Sequence, residues 1–319
     1  MKRILFAAFF LSLVAGGKAL AQQQPQFTHY GMNHMYVSPG YSGINKATEF
    51  NMIGRYQWSG YKADFDEGGE PKTGLFNVSI PVRAIKGGIG VNLITESLGG
   101  TNIKTGALSY AYHLPLGGGR LGIGASGIVT NISKGGYRAL EDDPYIPNNS
   151  SDTKFDVGAG LWYQADKFYV GTGINNLLES KYEFQNAEKN DTLGTVLNQK
   201  HLYVSAGYNI EVSSSVVVTP MALVKSDFNN DMSYELGARA TFNEKYWAGL
   251  NYRTQEAVSG LVGIGLLKDN SLKLGYAFDF TTFGEEAKAK SSHEIMLSYR
   301  IPQSPLATKP AIRTPRYSF

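Results

Sequence analysis

The sequence predicts an all-β protein, a transmembrane antiparallel barrel of about 14 strands in a bacterial outer membrane. Three observations predict it: a cleavable leader, a series of segments in which apolar and polar residues alternate, and no later apolar run long enough for a membrane-spanning helix. The clearest alternating segment of the 319-residue chain is 272–280. Its even positions are Leu, Tyr or Phe and its odd positions Lys, Gly, Ala or Asp, so one face of a strand would be apolar and the other small or charged.

The first element is a secretory leader at residues 1–21. Lys2 and Arg3 supply its positive start, an apolar run follows, and Ala-Leu-Ala at 19–21 fits a cleavage site. With Lys18, the leader holds three of the 30 Lys+Arg, and the remaining 27 match the 27 Asp+Glu. The mature chain is therefore formally neutral, and we predict no nucleic-acid binding. The chain holds no cysteine, which excludes a disulfide scaffold and a thiolate metal site.

Residues 22–46 come next, rich in aromatic and amide side chains but without a strand or helix period. Disordered segments are poor in aromatic residues. We therefore predict that this segment folds back into the barrel lumen or against the periplasmic rim, with a partly ordered tether as the alternative. The candidate lumen or plug residues are Phe27, Tyr30, Asn33, Tyr36 and Tyr41.

The barrel wall is predicted over residues 47–301. Short inner turns alternate with longer outer links along it, as expected when both ends of the wall face the periplasm. Runs of period two, bounded by Gly, Asn, Asp and Pro, place the strands. They are predicted near 47–59, 73–82, 87–97, 101–114, 119–131, 153–165, 167–175, 200–211, 214–226, 230–242, 245–254, 257–267, 271–280 and 291–300.

Many predicted lumen positions are Gly, Ala or Ser, which leaves room for water, a plug or a guest. Residues 122–127, GIGASG, match the dinucleotide-binding fingerprint letter for letter. That fingerprint needs a helix that opens on the glycines, whereas these lie inside a strand pattern. We interpret them as small lumen-facing residues, and we predict no cofactor, no metal site and no catalytic residue.

The closing residues 302–319 contain four prolines, three cations and no acid. Proline interrupts ladder pairing, so they are predicted to form an extended periplasmic tail rather than a strand. A tail without function is the alternative. The candidate partner-binding residues are Lys309, Arg313, Arg316, Tyr317 and Phe319.

Several stretches of the chain, in order, resemble one known family. They are QPQFTHY at 24–30, YVSPGYSG at 36–43, RYQW at 55–58, LGYAFD at 274–279 and SHEIMLSY at 292–299. These are similar to the DPQFSQY, NPAYAG, RNQW, GYAYD and SHEI motifs of the PorP/SprF family.

The resemblance implies a non-enzymatic outer-membrane component of the type IX secretion and gliding machinery. It implies periplasmic ring or lipoprotein components, a secreted adhesin cargo and outer-membrane lipid as partners, and support of cargo secretion or surface anchoring as the role. The alternative is an outer-membrane porin or solute channel. A porin lumen would be rich in Arg, Asp and Glu, whereas glycine and hydroxyl residues are prominent here.

Overall fold

The computed structural model describes residues 24–61, 69–135, 150–185, 192–228, 232–283 and 289–302. Most of them lie in antiparallel strands. No helix in these described ranges is long and apolar enough to cross a membrane. The strands are β1 (Glu49–Tyr56), β2 (Lys72–Val82), β3 (Gly87–Leu98), β4 (Thr101–Leu116), β5 (Gly119–Lys134), β6 (Ser150–Gln164), β7 (Phe168–Asn175), β8 (Lys181–Gln185), β9 (Thr192–Leu197), β10 (His201–Tyr208), β11 (Ile210–Ser213), β12 (Val216–Ser226), β13 (Met232–Phe242), β14 (Tyr246–Arg253), β15 (Ala257–Leu266), β16 (Leu272–Thr281) and β17 (Ser291–Arg300).

All of these strands except β8 and β9 form one closed wall. Neighbours along the chain pair antiparallel, β7 pairs with β10 across the intervening link, and β1 pairs with β17 to close the ring. Strand β11 continues β10 after Asn209, and both pair with β12, so they count as one wall strand. The wall therefore has 14 strands, and the predicted fold and strand count are confirmed.

The two ends of the wall differ in the length of their connections. Short turns, such as the one at 117–118 between β4 and β5, lie at the end where Glu49 of β1 pairs with Arg300 of β17. The long connections lie at the other end, as the sequence predicted, together with two short ones at 99–100 and 254–256. In outer-membrane barrels the short turns face the periplasm, so we call these the periplasmic end and the outer end.

Side chains alternate between a lipid-facing side and the lumen. In β16, Tyr276 and Phe278 are about two-fifths exposed, at 41% and 39%, whereas Ala277 and Asp279 between and beside them are buried. Near the periplasmic end, the ring of Phe168 lies 5.5 Å from that of Tyr163. Such outward aromatic rings are typical of the girdle where a barrel meets the membrane interface.

The long connection between β7 and β10 holds a hairpin that the sequence did not predict. Strands β8 and β9 pair with each other rather than with the wall. Tyr182 and Phe184 of β8 are fully buried against Ile132 of β5, beside Ile103 and Val196. The hairpin therefore covers one side of the outer end of the barrel.

Candidate functional site

Residues 24–46, here called the lumen segment, lie inside the wall. Thr28 contacts Glu294, near the outer end of β17, whereas the carbonyl of Ile44 accepts from Arg120 Nη1 at 2.6 Å, near the periplasmic end of β5. The segment thus runs from the outer half of the lumen to the periplasmic end, where it joins β1. It is built from three single turns: a 3-10 turn (Tyr30–Met32), helix α1 (His34–Val37) and a second 3-10 turn (Pro39–Tyr41).

A buried carboxylate on the wall holds the start of the lumen segment. The Thr28 amide donates to Glu294 Oε2 at 2.8 Å, and the His29 amide donates to Glu294 Oε1 at 2.9 Å. His29 Nδ1 donates to the same Oε1 at 2.7 Å, and both side chains are 0% exposed. A buried charge is tolerated when its hydrogen-bonding capacity is filled, and the lumen segment supplies three of these donors.

Arg55 of β1 joins this contact to a second carboxylate. Its Nη1 lies 3.3 Å from Glu294 Oε2, and its Nη2 lies 2.7 Å from Asp279 Oδ2. The Thr28 hydroxyl donates to Asp279 Oδ1 at 2.7 Å and accepts from Arg55 Nη1 at 3.2 Å. One threonine of the lumen segment therefore touches three charged wall residues from three different strands.

A second arginine extends the network. Arg253 Nε lies 3.0 Å from Glu235 Oε2, and Arg253 Nη1 lies 3.0 Å from Glu256 Oε1 and 3.8 Å from Asp279 Oδ2. We call the whole set the polar latch. Its members are Thr28, His29, Arg55, Glu235, Arg253, Glu256, Asp279 and Glu294.

The polar latch adds to what the sequence indicated about the lumen. Glycine and hydroxyl residues are prominent there, and charged side chains also cluster in its outer half. They pair with one another and with the lumen segment instead of lining an open pore. Removing one partner of such a buried pair costs roughly 3–5 kcal/mol, because the other charge is left uncompensated. The arrangement therefore favours a lumen segment that stays in place.

Four of the five stretches that resemble family motifs meet at the polar latch; the fifth, at 36–43, lies further along the lumen segment. Thr28 and His29 come from QPQFTHY, Arg55 from RYQW, Asp279 from LGYAFD and Glu294 from SHEIMLSY. The chain separates the first from the last by more than 260 positions, but the closed wall brings β1, β16 and β17 side by side. These short motifs are thus parts of one buried contact.

The second half of the lumen segment lies against wall glycines. A Cβ on Gly124 would lie 2.5 Å from the Gly40 amide nitrogen, and one on Gly160 would lie 2.5 Å from Ser38 Oγ. Real Cβ contacts do not come closer than 3.0 Å, so any larger residue at either position would push the segment away. This confirms that Gly122 and Gly124 are small lumen-facing residues, and it explains why they are small. Gly127 lies on the opposite face of β5, beside the exposed ring of Phe155.

Aromatic side chains fill the space between the segment and the wall. The ring of His34 lies 4.7 Å from that of Trp162 and 4.6 Å from that of Tyr169, and Trp162 and Tyr169 stack on each other. Phe27, on the other side of the segment, belongs to a cluster with Trp247 and other wall residues. The lumen at this level is a packed core rather than a water-filled channel.

The structure places all five candidate lumen residues among inward-facing wall side chains. Phe27, Tyr30 and Tyr41 are buried in the apolar clusters. Asn33 Oδ1 accepts hydrogen bonds from two wall asparagines, at 2.8 and 3.3 Å. The partly buried Tyr36 donates its hydroxyl to the Pro25 carbonyl at 2.7 Å. The five candidate tail residues, 309 to 319, and the leader lie outside the described residues.

A cavity of about 370 Å³ lies in the outer half of the lumen, between the lumen segment and strands β3 to β5. We call it the vestibule. It ends on the lumen segment, at Gln24, Pro25 and Tyr36. The wall residues around it include Asn92, Ile94, Glu96, Leu98, Thr101, Ile103, Thr105, Ile128, Thr130, Ile132 and Lys134.

Sequence reasoning missed the wall residues of the polar latch. Arg55, Asp279 and Glu294 are charged residues on the inward faces of their strands, and a barrel lumen accepts such residues without any special role. Their position inside motif-like stretches was the available signal. The alternating pattern does not predict how far along the barrel axis each residue lies, nor which residues it faces across the lumen.

The fold and the site together define an outer-membrane β-barrel whose own N-terminal segment fills the lumen. Residues 19–299 match the family described as the type IX secretion system membrane protein PorP/SprF. The chain belongs to this family, so the resemblance seen in the sequence is confirmed, and with it the outer-membrane location. No curated protein matches the chain.

Two solved outer-membrane proteins align with most of the chain. The outer-membrane protein Omp33 of Acinetobacter baumannii aligns over 82% of this chain and 100% of its own, with 11% identity and a TM-score of 0.43. A TodX mutant described as a monoaromatic hydrocarbon channel aligns over 80% of this chain and 90% of its own, with 10% identity and a TM-score of 0.49. Likenesses this distant carry no argument about function.

Proposed function

We propose that this barrel is a closed, non-enzymatic component of the type IX secretion and gliding machinery. In this role it supports the secretion or surface anchoring of cargo adhesins and contacts periplasmic ring or lipoprotein components. The observation that favours a closed component over a channel is the polar latch. A diffusion pore keeps a water-filled lumen, whereas the lumen segment here is hydrogen-bonded to the wall and packed against it.

The energetics favour the closed state. Withdrawing the lumen segment would expose Phe27, Tyr30 and Tyr41, and burial of each such side chain contributes about 1.5–3 kcal/mol. It would also leave Glu294 without the three donors that the segment supplies. Because these losses occur together, opening without a partner would be rare.

Conductance in planar bilayers tests the closed state. The intact protein should conduct poorly, and deletion of residues 24–43 should open a stable channel. Removing residues 181–197 instead, the outer hairpin, is the matched control and should leave conductance low. Folding of each variant is checked by its heat-modifiable mobility in gels. Large conductance from the intact protein would favour the alternative, a porin or solute channel.

The closing tail is the proposed contact with the secretion machinery. The amide of Ile301 donates to the Thr48 carbonyl at 2.9 Å, so the chain leaves the wall at the periplasmic end. Lys309, Arg313 and Arg316 are cations that can bind carboxylates, and arginine can do so through paired hydrogen bonds. Aromatic residues such as Tyr317 and Phe319 often anchor interfaces. An acidic, grooved periplasmic protein is the partner that suits this composition.

Truncation tests the tail separately from the barrel. Deleting residues 309–319 should leave the amount and heat resistance of the barrel unchanged but abolish co-purification of periplasmic partners and display of the cargo. The double change Arg313→Lys and Arg316→Lys keeps the charge and loses the paired hydrogen bonds, so it should weaken co-purification only in part. Normal secretion from the truncated protein would contradict a role for the tail.

A further inference from the structure

One acidic side chain in the vestibule lacks a counter-charge. Glu96 of β3 is only 8% exposed and lines the cavity. Among the residues that the structure describes, no cation and no hydrogen-bond donor acts on it. Every acidic side chain of the polar latch, by contrast, lies within 4 Å of a cation. Burying an unpaired charge is costly, so a positive group beside Glu96 would be stabilised.

The wall around Glu96 does not supply that group. Glu96 pairs with Thr73 of β2, and Thr73 pairs in turn with Arg55 of β1. The two terminal nitrogens of Arg55, however, contact carboxylates of the polar latch. Lys134 is the other charged side chain among the described residues that line the vestibule, and its Nζ lies 5.1 Å from the centre of the Phe184 ring. The vestibule therefore has a site for a positive group that neither side chain fills.

Two tyrosine hydroxyls close to Glu96 already have acceptors for their protons. Glu96 is near enough to the hydroxyls of Tyr36 and Tyr203 for electrostatic interaction with both. Tyr36 donates to the Pro25 carbonyl at 2.7 Å, and Tyr203 donates to Gln24 Oε1 at 3.3 Å. Beside the carboxylate, the hydroxyl oxygens are therefore left as acceptors. A ligand that donates hydrogen bonds suits this surrounding better than one that accepts them.

The vestibule around Glu96 is otherwise mainly apolar and is the size of a small-molecule site. Ile103 and Ile132 lie beside Glu96 at the same level of the wall, and Ile94 and Ile128 line the cavity further in. The volume of about 370 Å³ falls within the usual range of ligand pockets, about 300–1,000 Å³. Since a water molecule takes about 30 Å³ in the liquid, the cavity has room for an organic molecule of roughly a dozen non-hydrogen atoms.

We propose that the vestibule binds a small organic amine, with the protonated nitrogen at Glu96 and the apolar body between the isoleucines of β3 to β5. An ammonium group has three donors and no acceptor, and it neutralises the carboxylate. Leu98 and Thr101 line the cavity on either side of the outer turn at 99–100, so the amine enters from outside the cell. The lumen segment closes the inner end. This binding goes beyond the secretion role and does not depend on it.

Protection of an introduced thiol tests the site. Ala107 of β4 lines the inner part of the vestibule, and the natural chain has no cysteine. Ala107→Cys therefore gives the full-length protein one thiol, which a small methanethiosulfonate reagent reaches from the outer end only by passing Glu96. Hexylamine, the probe, should slow this labelling at neutral pH and do so saturably. Hexan-1-ol has the same chain length but no charge, so at the same concentrations it should leave the labelling rate almost unchanged.

Two further variants, each combined with Ala107→Cys, show whether Glu96 is the counter-charge. Glu96→Gln keeps the size of the side chain and removes its charge. Because hydrogen bonds to charged groups are the stronger ones, the hexylamine concentration that halves the labelling rate should rise by about tenfold or more. Glu179→Gln is the matched control: it removes an acid of the outer loop that pairs with Lys200, and it should leave that concentration unchanged.

Three results would overturn the proposal: no protection by hexylamine, equal protection by hexylamine and hexan-1-ol, or protection by hexylamine that Glu96→Gln leaves unchanged. The first two are measured on the Ala107→Cys protein alone, so they do not require Glu96→Gln to fold. None of the three bears on the closed state of the lumen, which the conductance measurements test.

Discussion

The change Glu294→Gln should release the lumen segment. Oε2 of Glu294 accepts the Thr28 amide, and Oε1 accepts both the His29 amide and His29 Nδ1. A glutamine has one carbonyl oxygen and one NH₂ group, so in either orientation an NH₂ group faces an N–H donor. Arg55 also loses a counter-charge at 3.3 Å.

The expected loss can be estimated from these contacts. A hydrogen bond to a charged group contributes about 1.5–3 kcal/mol, and breaking a buried pair costs roughly 3–5 kcal/mol. If the free energy that holds the lumen segment in the barrel falls by about 3 kcal/mol, the fraction of molecules with the segment undocked rises about 100-fold, since each 1.4 kcal/mol changes an equilibrium tenfold. The wall strands keep all their backbone pairing.

The assay uses the absence of cysteine in the natural chain. Met32→Cys places a thiol in the partly buried middle of the lumen segment, and a bulky maleimide can reach it only when the segment leaves the lumen. The labelling rate should rise about 100-fold with Glu294→Gln. Glu179→Gln, an acid in an exposed ion pair with Lys200, should leave it unchanged, because surface pairs contribute little.

Thr28→Ala is a second test of the same contact, for the case that Glu294→Gln does not fold. Thr28→Ala removes the hydroxyl that contacts Asp279 and Arg55 but leaves every wall charge in place, so it should raise labelling by a smaller factor. Unchanged labelling in a properly folded barrel, for both variants, would refute the idea that the polar latch holds the segment.

Three further predictions concern the wall. Gly124→Val should displace the lumen segment and raise labelling, whereas Gly54→Val should not, because nothing lies within 4 Å of a Cβ at Gly54. Leu250 lies in the middle of its strand and is 69% exposed, on the lipid-facing side, so Leu250→Arg should lower the free energy of unfolding in urea titrations by about 2–4 kcal/mol. Leu267→Arg, at a periplasmic turn, should lower it by less than about 1 kcal/mol. Equal losses would mean that the assigned faces are wrong. Arg55→Lys keeps the positive charge but has a single nitrogen in place of the two that contact Asp279 and Glu294. The labelling rate of the thiol introduced by Met32→Cys should therefore rise about tenfold. An unchanged rate would show that the two-nitrogen contact is dispensable.

Strand positions could be predicted from the sequence because alternation has a direct cause: one face of each strand meets lipid and the other the lumen. The same rule could have revealed the outer hairpin, since Tyr182 and Phe184 alternate with exposed Lys181 and Glu183. They were missed because the connection was interpreted as a loop.

Contacts across the lumen could not be predicted in the same way. Alternation assigns Gly275 to the lumen and suggests that a serine there is harmless. In the structure, a Cβ on Gly275 would lie 2.7 Å from Nε2 of His29, which the polar latch holds in place. The pattern tells which face a residue is on, but it contains nothing about the partner 246 positions away that occupies the same space.

The distance along the chain between the two halves of the polar latch has a consequence for biogenesis. Thr28 lies near the start of the chain, and Glu294 belongs to the last wall strand, 266 positions later. The lumen segment can be fastened only when β17 arrives, and the arrival of β17 also covers the open edge of β1. A chain truncated before β17 would have an unpaired edge strand and an N-terminal segment that is not bound in the lumen. Periplasmic proteases could act on both, so release of the finished barrel and quality control of its synthesis would depend on a single closing event.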